Sequence, residues 1–183
     1  QRLSRGLGDV YKRQIIRLSR DFSKPIDFSN VDVVIHLAGE NIAKKRWSKD
    51  QKNKIKNSRL IGTKQLSDQL AASEHKPSLF ISSSATGYYG DRKDKDLDEN
   101  SEPGTGFLPE VCVEWENSTK SAENAGIRTV HIRTGIVLSK EGGALKKMLP
   151  PFLFGAGGIL GDGKQFMSWI SIKDEINAIL FII

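Results

Sequence analysis

The chain has 183 residues, of which 38% are hydrophobic and 27% charged, the balance of a soluble globular protein with room for one domain and a real core. No apolar run approaches the ~18 residues that span a bilayer, and a lone cysteine, Cys112, excludes an internal disulfide and argues for a reducing, cytoplasmic compartment. The net charge of +6 is a poor argument for a nucleic-acid partner, because half of it lies in the first 14 residues.

Those residues, Gln1 to Gln14 (QRLSRGLGDVYKRQ), follow neither a strand nor a helix pattern and lack an initiating Met. They read as a non-native leader and are set aside, which leaves 15–183 as a partial domain. Ile15 to Arg20 reads as a short strand ending in a basic residue, followed by a loop with Pro25. Val31 to Leu37 (VDVVIHL) is the near-continuous apolar run of a parallel strand, ended by Ala38-Gly39-Glu40-Asn41. Ser48 is an N-cap with Gln51 at capping-box spacing. The helix that it opens runs to about Ser73, with Ile55, Leu60, Leu66 and Leu70 as its apolar stripe.

Leu79 to Ser83 is the next strand, and Asp91 to Pro103 an acidic surface loop. Leu108 to Asn124 reads as one helix closed by Gly126, and Ile127 to Arg133 as another strand. Ala144 to Phe154 is partly helical around Pro150-Pro151. Gly155 to Gly163 is a glycine-rich loop, mobile or approached by a ligand. Phe166 to Ile170 is a short strand, with a helix from Lys173 onward. Strands alternating with helices imply right-handed βαβ units and a parallel sheet.

One segment stands apart. Ser82 to Gly90 (SSSATGYYG) follows the apolar run Leu79-Phe80-Ile81. By itself it reads as a Ser/Gly-rich turn. At the carboxyl end of a parallel strand it would instead face a ligand, donating to a carbonyl or accepting from a sugar hydroxyl. The basic stretch from Lys44 to Arg59 reads mainly as a solvated helix face. It contains no aromatic residue after Trp47, so nucleic acid is not an expected partner. His36, His75 and His131 have no metal-ligand spacing, and no metal site is expected.

Several motifs occur together and in register: Val34-Ile35-His36-Leu37-Ala38-Gly39, Gly62-Thr63, Ser82 to Gly90, Arg133-Thr134-Gly135-Ile136-Val137-Leu138, and Trp169 to Asp174. Glu40-Asn41-Ile42, Arg46-Trp47, Ser58-Arg59, Gly106-Phe107-Leu108, Trp115-Glu116 and Gly142-Gly143-Ala144 accompany them. With these the chain resembles the extended short-chain dehydrogenase/reductases of the NAD(P)-dependent epimerase/dehydratase type, more narrowly their epimerase family branch. The resemblance implies an α/β fold with a Rossmann-like doubly wound parallel sheet. It also implies a chain incomplete at both ends, lacking the glycine-rich phosphate turn and the C-terminal region. Gly6-Leu7-Gly8 is no substitute for that turn, since no apolar strand precedes it.

The same resemblance implies the site. Ser19 and Arg20 would end the second strand of the full fold. A guanidinium there suits a ribose 2′-phosphate and favours NADP, with NAD less suited, although a plain surface Arg is the alternative. Leu37, Ala38 and Gly39 would lie at the adenosine side. Ser82 and Ser83 would face the cofactor, Arg59 could reach a phosphate, and Ile136 and Val137 would border the nicotinamide. Ser84 matches the hydroxyl that polarises a substrate carbonyl. Its usual partners, a Tyr and a Lys four residues later, are replaced by Cys112 and Glu116, which leaves Tyr89 as the candidate proton-transfer phenol beside Tyr88. Cys112 itself reads as a small buried hydrophobe. The loop Gly155 to Gly163, with Gln165 and Trp169, would border the substrate pocket. The implied function is an NADP-binding oxidoreductase or nucleotide-sugar-epimerase-like protein with a small hydroxyl or carbonyl substrate. The competing expectation is a non-catalytic NADP-binding redox sensor or structural protein. Neither a membrane nor a nucleic acid is an expected partner, and no oligomeric state is implied.

Overall fold

The computed structural model describes residues 14–18, 21–43, 45–159 and 161–183. Its central sheet is parallel, in the order β1 (Val33–His36), β2 (Leu79–Ala85), β3 (Arg128–Thr134). The middle strand is the most buried of the three, with Phe80 and Ile81 fully buried, as a parallel strand flanked on both edges requires. The register sets Ile81 beside Ile35 and Val130, and Ser84 beside Arg133.

Helix α1 (Lys49–Ala72) follows β1. Ser48 caps it by accepting the Gln51 backbone N–H at 3.2 Å, which satisfies a donor that the first helical turn leaves without a ladder partner. Ile55, Thr63, Leu66 and Leu70 recur every three to eight residues and form its buried face, while Leu60 is only half-buried. Leu66 and Leu70 join Val34, Phe80, Ala122 and Ile127 in one core cluster with Phe22 and Phe28. The Gln69 side chain fixes the preceding loop: it accepts the Ile26 N–H at 2.9 Å and donates to the Phe22 carbonyl at 2.6 Å.

The second helix predicted from the sequence is two helices, α2 (Phe107–Asn117) and α3 (Lys120–Asn124). The break has a visible cause. Ser67, from α1, donates to the Thr119 carbonyl at 3.0 Å and accepts the Ala122 N–H at 2.9 Å. The Ser67 hydroxyl thus braces the one-turn bond from the Ala122 N–H to the Thr119 carbonyl, and the Ser118 and Thr119 hydroxyls compete for the Glu114 and Glu116 carbonyls. Gly126 follows α3 at φ 84, the left-handed conformation that a glycine adopts without strain.

Two sequence expectations differ from the structure. Residues 15–18 pair with no strand, and Ile15 and Ile16 are 76% and 56% exposed; an apolar alternation makes a strand only where a ladder partner exists. The C-terminal part forms its own two-stranded parallel sheet, β4 (Ile136–Leu138) with β5 (Trp169–Ser171), where one strand had been expected around Phe166 to Ile170. Gly135 makes this pairing possible, since a Cβ there would lie 2.5 Å from the Ser168 carbonyl oxygen. Helix α4 (Gly143–Leu153) ends soon after Pro150 and Pro151, which supply no N–H to the ladder, and α5 (Ile172–Ile182) is capped by Ser171. No helix among the described residues is long and apolar enough to cross a membrane. A parallel sheet with flanking helices is the Rossmann-like α/β architecture.

Candidate functional site

The carboxyl ends of β1, β2 and β3 gather the chemistry. Ser84 and Arg133 are register partners on adjacent strands, so their side chains leave the sheet on the same face. Glu116 reaches down from α2 between them. The Ser84 hydroxyl donates to Glu116 Oε1 at 2.6 Å. Arg133 Nε and Nη2 donate to Oε1 and Oε2, each at 2.9 Å, a bidentate pair. Arg133 also donates through Nη1 to Tyr89 Oη at 3.0 Å, and its guanidinium lies 3.6 Å from the Tyr88 ring centre. The cation is thus held by a carboxylate, a phenol and a ring face together.

The electrostatics follow from this arrangement. Burial pushes the Glu116 carboxyl up, but hydrogen bonds from Arg133 and Ser84 and the Arg133 charge outweigh it and leave the acid below its ordinary value. The Glu116 hydrogen bonds hold Arg133 firmly charged. Cys112, one turn before Glu116 on α2, is pushed up to about 11 by burial and then by the Glu116 charge. It is a buried thiol without nucleophilic character near neutral pH.

A loop folds over this group. Arg92 donates to the Tyr89, Glu102 and Pro103 carbonyls at 3.0, 2.9 and 2.9 Å. Gly104 approaches so closely that a Cβ there would lie 2.4 Å from the Tyr89 oxygen. The acidic segment read as a surface loop is therefore strapped to the strand end.

The positions that the sequence led us to expect near a cofactor follow β1, stand in β2 and β4 or, for Arg59, lie on α1. Leu37 is exposed and Ala38 and Gly39 are half-buried after β1. Arg59 packs beneath this turn, donating to the Glu40 and Ile55 carbonyls at 3.1 Å each, and a Cβ on Gly39 would meet its guanidinium carbon at 3.2 Å. Burial pulls the Arg59 guanidinium below its ordinary value, opposed by Cys112 and Glu40. A turn of small residues with a cation below it fits a nicotinamide dinucleotide laid across the sheet edge. Ser82 is fully buried, Ser83 half-buried, and Ser84 4% exposed. Ile136 and Val137 stand in the β4–β5 ladder, where Ile136 N–H already donates to Ser168 at 2.7 Å. Ser19 and Arg20 lie outside the described residues. Among the described residues no group of His, Cys, Asp and Glu could hold a metal ion.

Sequence reading located Ser84 and Tyr89 but missed what joins them. Glu116 had been read as a misfit for a lysine, and Arg133 only as part of a strand motif. The signal available was that Arg133 and Ser84 each end adjacent parallel strands.

Comparison with known proteins agrees with the fold. The family model for the NAD dependent epimerase/dehydratase family matches residues 13–183. An epimerase family protein of Mycobacterium bovis is 46% identical over 159 residues, covering 87% of this chain and 52% of the relative. The chain thus spans about half the length of the curated relatives it matches. Among solved structures, the human epimerase family protein SDR39U1 with NADPH is similar at TM-score 0.77 and 30% identity, over 84% of this chain and 52% of that one. The nucleoside-diphosphate sugar epimerase from Corynebacterium glutamicum is similar at TM-score 0.73 and 41% identity, over 84% of this chain and 32% of that one. The chain belongs to the NAD dependent epimerase/dehydratase family.

Proposed function

We propose that this chain forms the cofactor-binding part of an NADP-dependent oxidoreductase or nucleotide-sugar-epimerase-like enzyme acting on a small hydroxyl or carbonyl compound. The observation that supports it is the constellation of Ser84, Glu116, Arg133 and Tyr89 at the carboxyl edge of a parallel sheet. That edge is where open α/β folds bind their ligands. When bound, the nicotinamide supplies hydride exchange with a substrate carbon. The residues of this chain hold the substrate oxygen. Tyr89 accepts from Arg133 and so keeps its own proton to give to that oxygen. Ser84 donates its one O–H to Glu116, so it presents lone pairs that accept from a substrate hydroxyl rather than the donor to a carbonyl expected from the sequence. In this reading Leu37, Ala38 and Gly39 border the adenosine side and Arg59 serves a phosphate, while Ser19 and Arg20, which lie outside the described residues, are assigned the ribose 2′-phosphate from the sequence alone. The relative solved with NADPH supports NADP over NAD, and the lone buried Cys112 supports a reducing, cytoplasmic setting.

Fluorescence titration of the full-length protein is expected to give tighter binding of NADPH than of NADH. Equal binding, or none, would refute the cofactor assignment. A second reading, an NADP-binding protein without turnover, is favoured by one observation: Cys112 and Glu116 stand where a Tyr and a Lys would supply acid–base chemistry, and the thiol is pushed up to about 11. Single-turnover hydride transfer to any carbonyl compound would rule that reading out.

A further inference from the structure

The strap over the strand end, residues 91–103, is fastened firmly at its feet and hardly at all along its middle. At the feet, the Arg92 guanidinium donates to the Tyr89 carbonyl on one side and to the Glu102 and Pro103 carbonyls on the other. The Gly104 N–H adds a bond to the Tyr88 carbonyl at 2.9 Å. Between the feet, Lys93 to Asn100 are all exposed. Among the described residues no ion pair joins the strap to the rest of the protein. Few buried contacts and an exposed backbone are the marks of a segment that opens locally.

The tip of the strap is nevertheless shaped. Asp98 Oδ1 accepts the Asn100 N–H at 3.1 Å and the Ser101 hydroxyl at 2.8 Å. Ser101 Oγ in turn accepts the Asp98 N–H at 3.0 Å. Residues 98–101 are therefore one self-bonded turn, able to move as a unit.

A single hydrogen bond among the described residues joins this turn to the site. Arg133 Nη1 donates to the Glu99 carbonyl at 3.2 Å, and the same nitrogen donates to Tyr89 Oη at 3.0 Å. The other partners of Arg133, Glu116 and the Tyr88 ring, do not belong to the strap. Lifting the tip thus leaves the cation in place. It frees one guanidinium N–H directly beside the phenol, and a ligand oxygen that takes this donor restores the bond that the Glu99 carbonyl gave up.

We propose that residues 98–101 are a gate over Tyr89, latched by the Glu99 carbonyl on Arg133. Opening it exposes the phenol to substrate and releases an Arg133 donor for a substrate oxygen. The inference rests on the reading of Tyr89 as the substrate-facing phenol and adds what governs access to it. Arg92 acts at a distance from the chemistry, as a positioning residue that holds the feet together so that the tip returns to Arg133.

The test is acetylation of the full-length protein by N-acetylimidazole without cofactor, resolved residue by residue by mass spectrometry. Arg92→Met unfastens the feet. Asp98→Ala combined with Ser101→Ala dissolves the turn that presents the Glu99 carbonyl. None of these side chains belongs to the core, so the variants are expected to fold. In each, Tyr89 is expected to be acetylated roughly fivefold faster than in the wild type, the shift that loss of one charge-assisted hydrogen bond gives an opening equilibrium. Amide exchange in β2 is expected to stay unchanged. Equal Tyr89 rates in the wild type and both variants would overturn the proposal. A rise matched by faster exchange in β2 would overturn it as well, because the whole strand end would then be loosening. NADPH titration of the same proteins separates the gate from the cofactor assignment. A strap-dependent Tyr89 rate in a protein that binds no NADPH would support the gate and refute that assignment.

Discussion

Arg133 offers Glu116 two N–H donors at 2.9 Å, and Ser84 adds an O–H at 2.6 Å. The pair is poorly exposed, 19% for Arg133 and 12% for Glu116, so removing one partner leaves a charge short of both water and counterion. Glu116→Gln is expected to cost about 2–4 kcal/mol of unfolding free energy near neutral pH, measurable as a shift of the urea midpoint. Because the folded Glu116 carboxyl lies below its ordinary value of 4.5, the wild-type advantage is complete above that value. It fades as pH falls through the folded pKa, where the two proteins should converge. At this scale the sequence revealed the hydroxyl but not its partner. A carboxylate four residues after a cysteine has no meaning in isolation; it acquires one only when the sheet register brings Arg133 beside Ser84.

Helices α1, α2 and α3 show what a one-dimensional pattern can and cannot convey. The Ser48 cap and the apolar stripe made α1 legible nearly to the residue. The interruption between α2 and α3 was not legible, because its cause, Ser67, lies on another helix more than fifty residues away. Ser67→Ala would remove this brace, while the Ala122 N–H keeps its 3.0 Å bond to the Thr119 carbonyl. A loss of about 1 kcal/mol is expected, with hydrogen exchange at Ala122 accelerated more than in β2. A uniform rise across both elements would instead indicate that Ser67 acts only through general packing. The β4–β5 pairing escaped for a related reason: short strands are defined by what they pair with, and Gly135 allows an approach that hydrophobicity does not encode.

For the whole molecule, parallel βαβ alternation was readable from the apolar runs that open β1 and β2 and the capped helix between them. Contacts between distant loops, such as Trp47 with Phe107, were not. One buried group in that core has a global effect. His36 packs edge-on against Phe22, its Nε2 has no hydrogen-bond partner, and burial pulls it down to about 4. An unfolded histidine titrates near ~6.5, so between these values the unfolded chain binds the extra proton. Stability is therefore expected to fall by about 3 kcal/mol as pH drops across that window, most of it above the range in which the Glu116 contribution fades. His36→Leu should flatten this part of a plot of urea midpoint against pH; an unchanged slope would assign it to other groups. Cys112 gives the same core a chemical consequence. It is the one thiol in the chain, set on α2 against Gly87, with its sulfur 3.9 Å from where a Cβ would sit. An alkylating reagent therefore meets a reactive thiolate only while α2 is lifted from the strand end. The rate at which this cysteine is labelled counts those openings, so the position where a cysteine replaces the family's usual phenol serves as a clock for the site's own breathing.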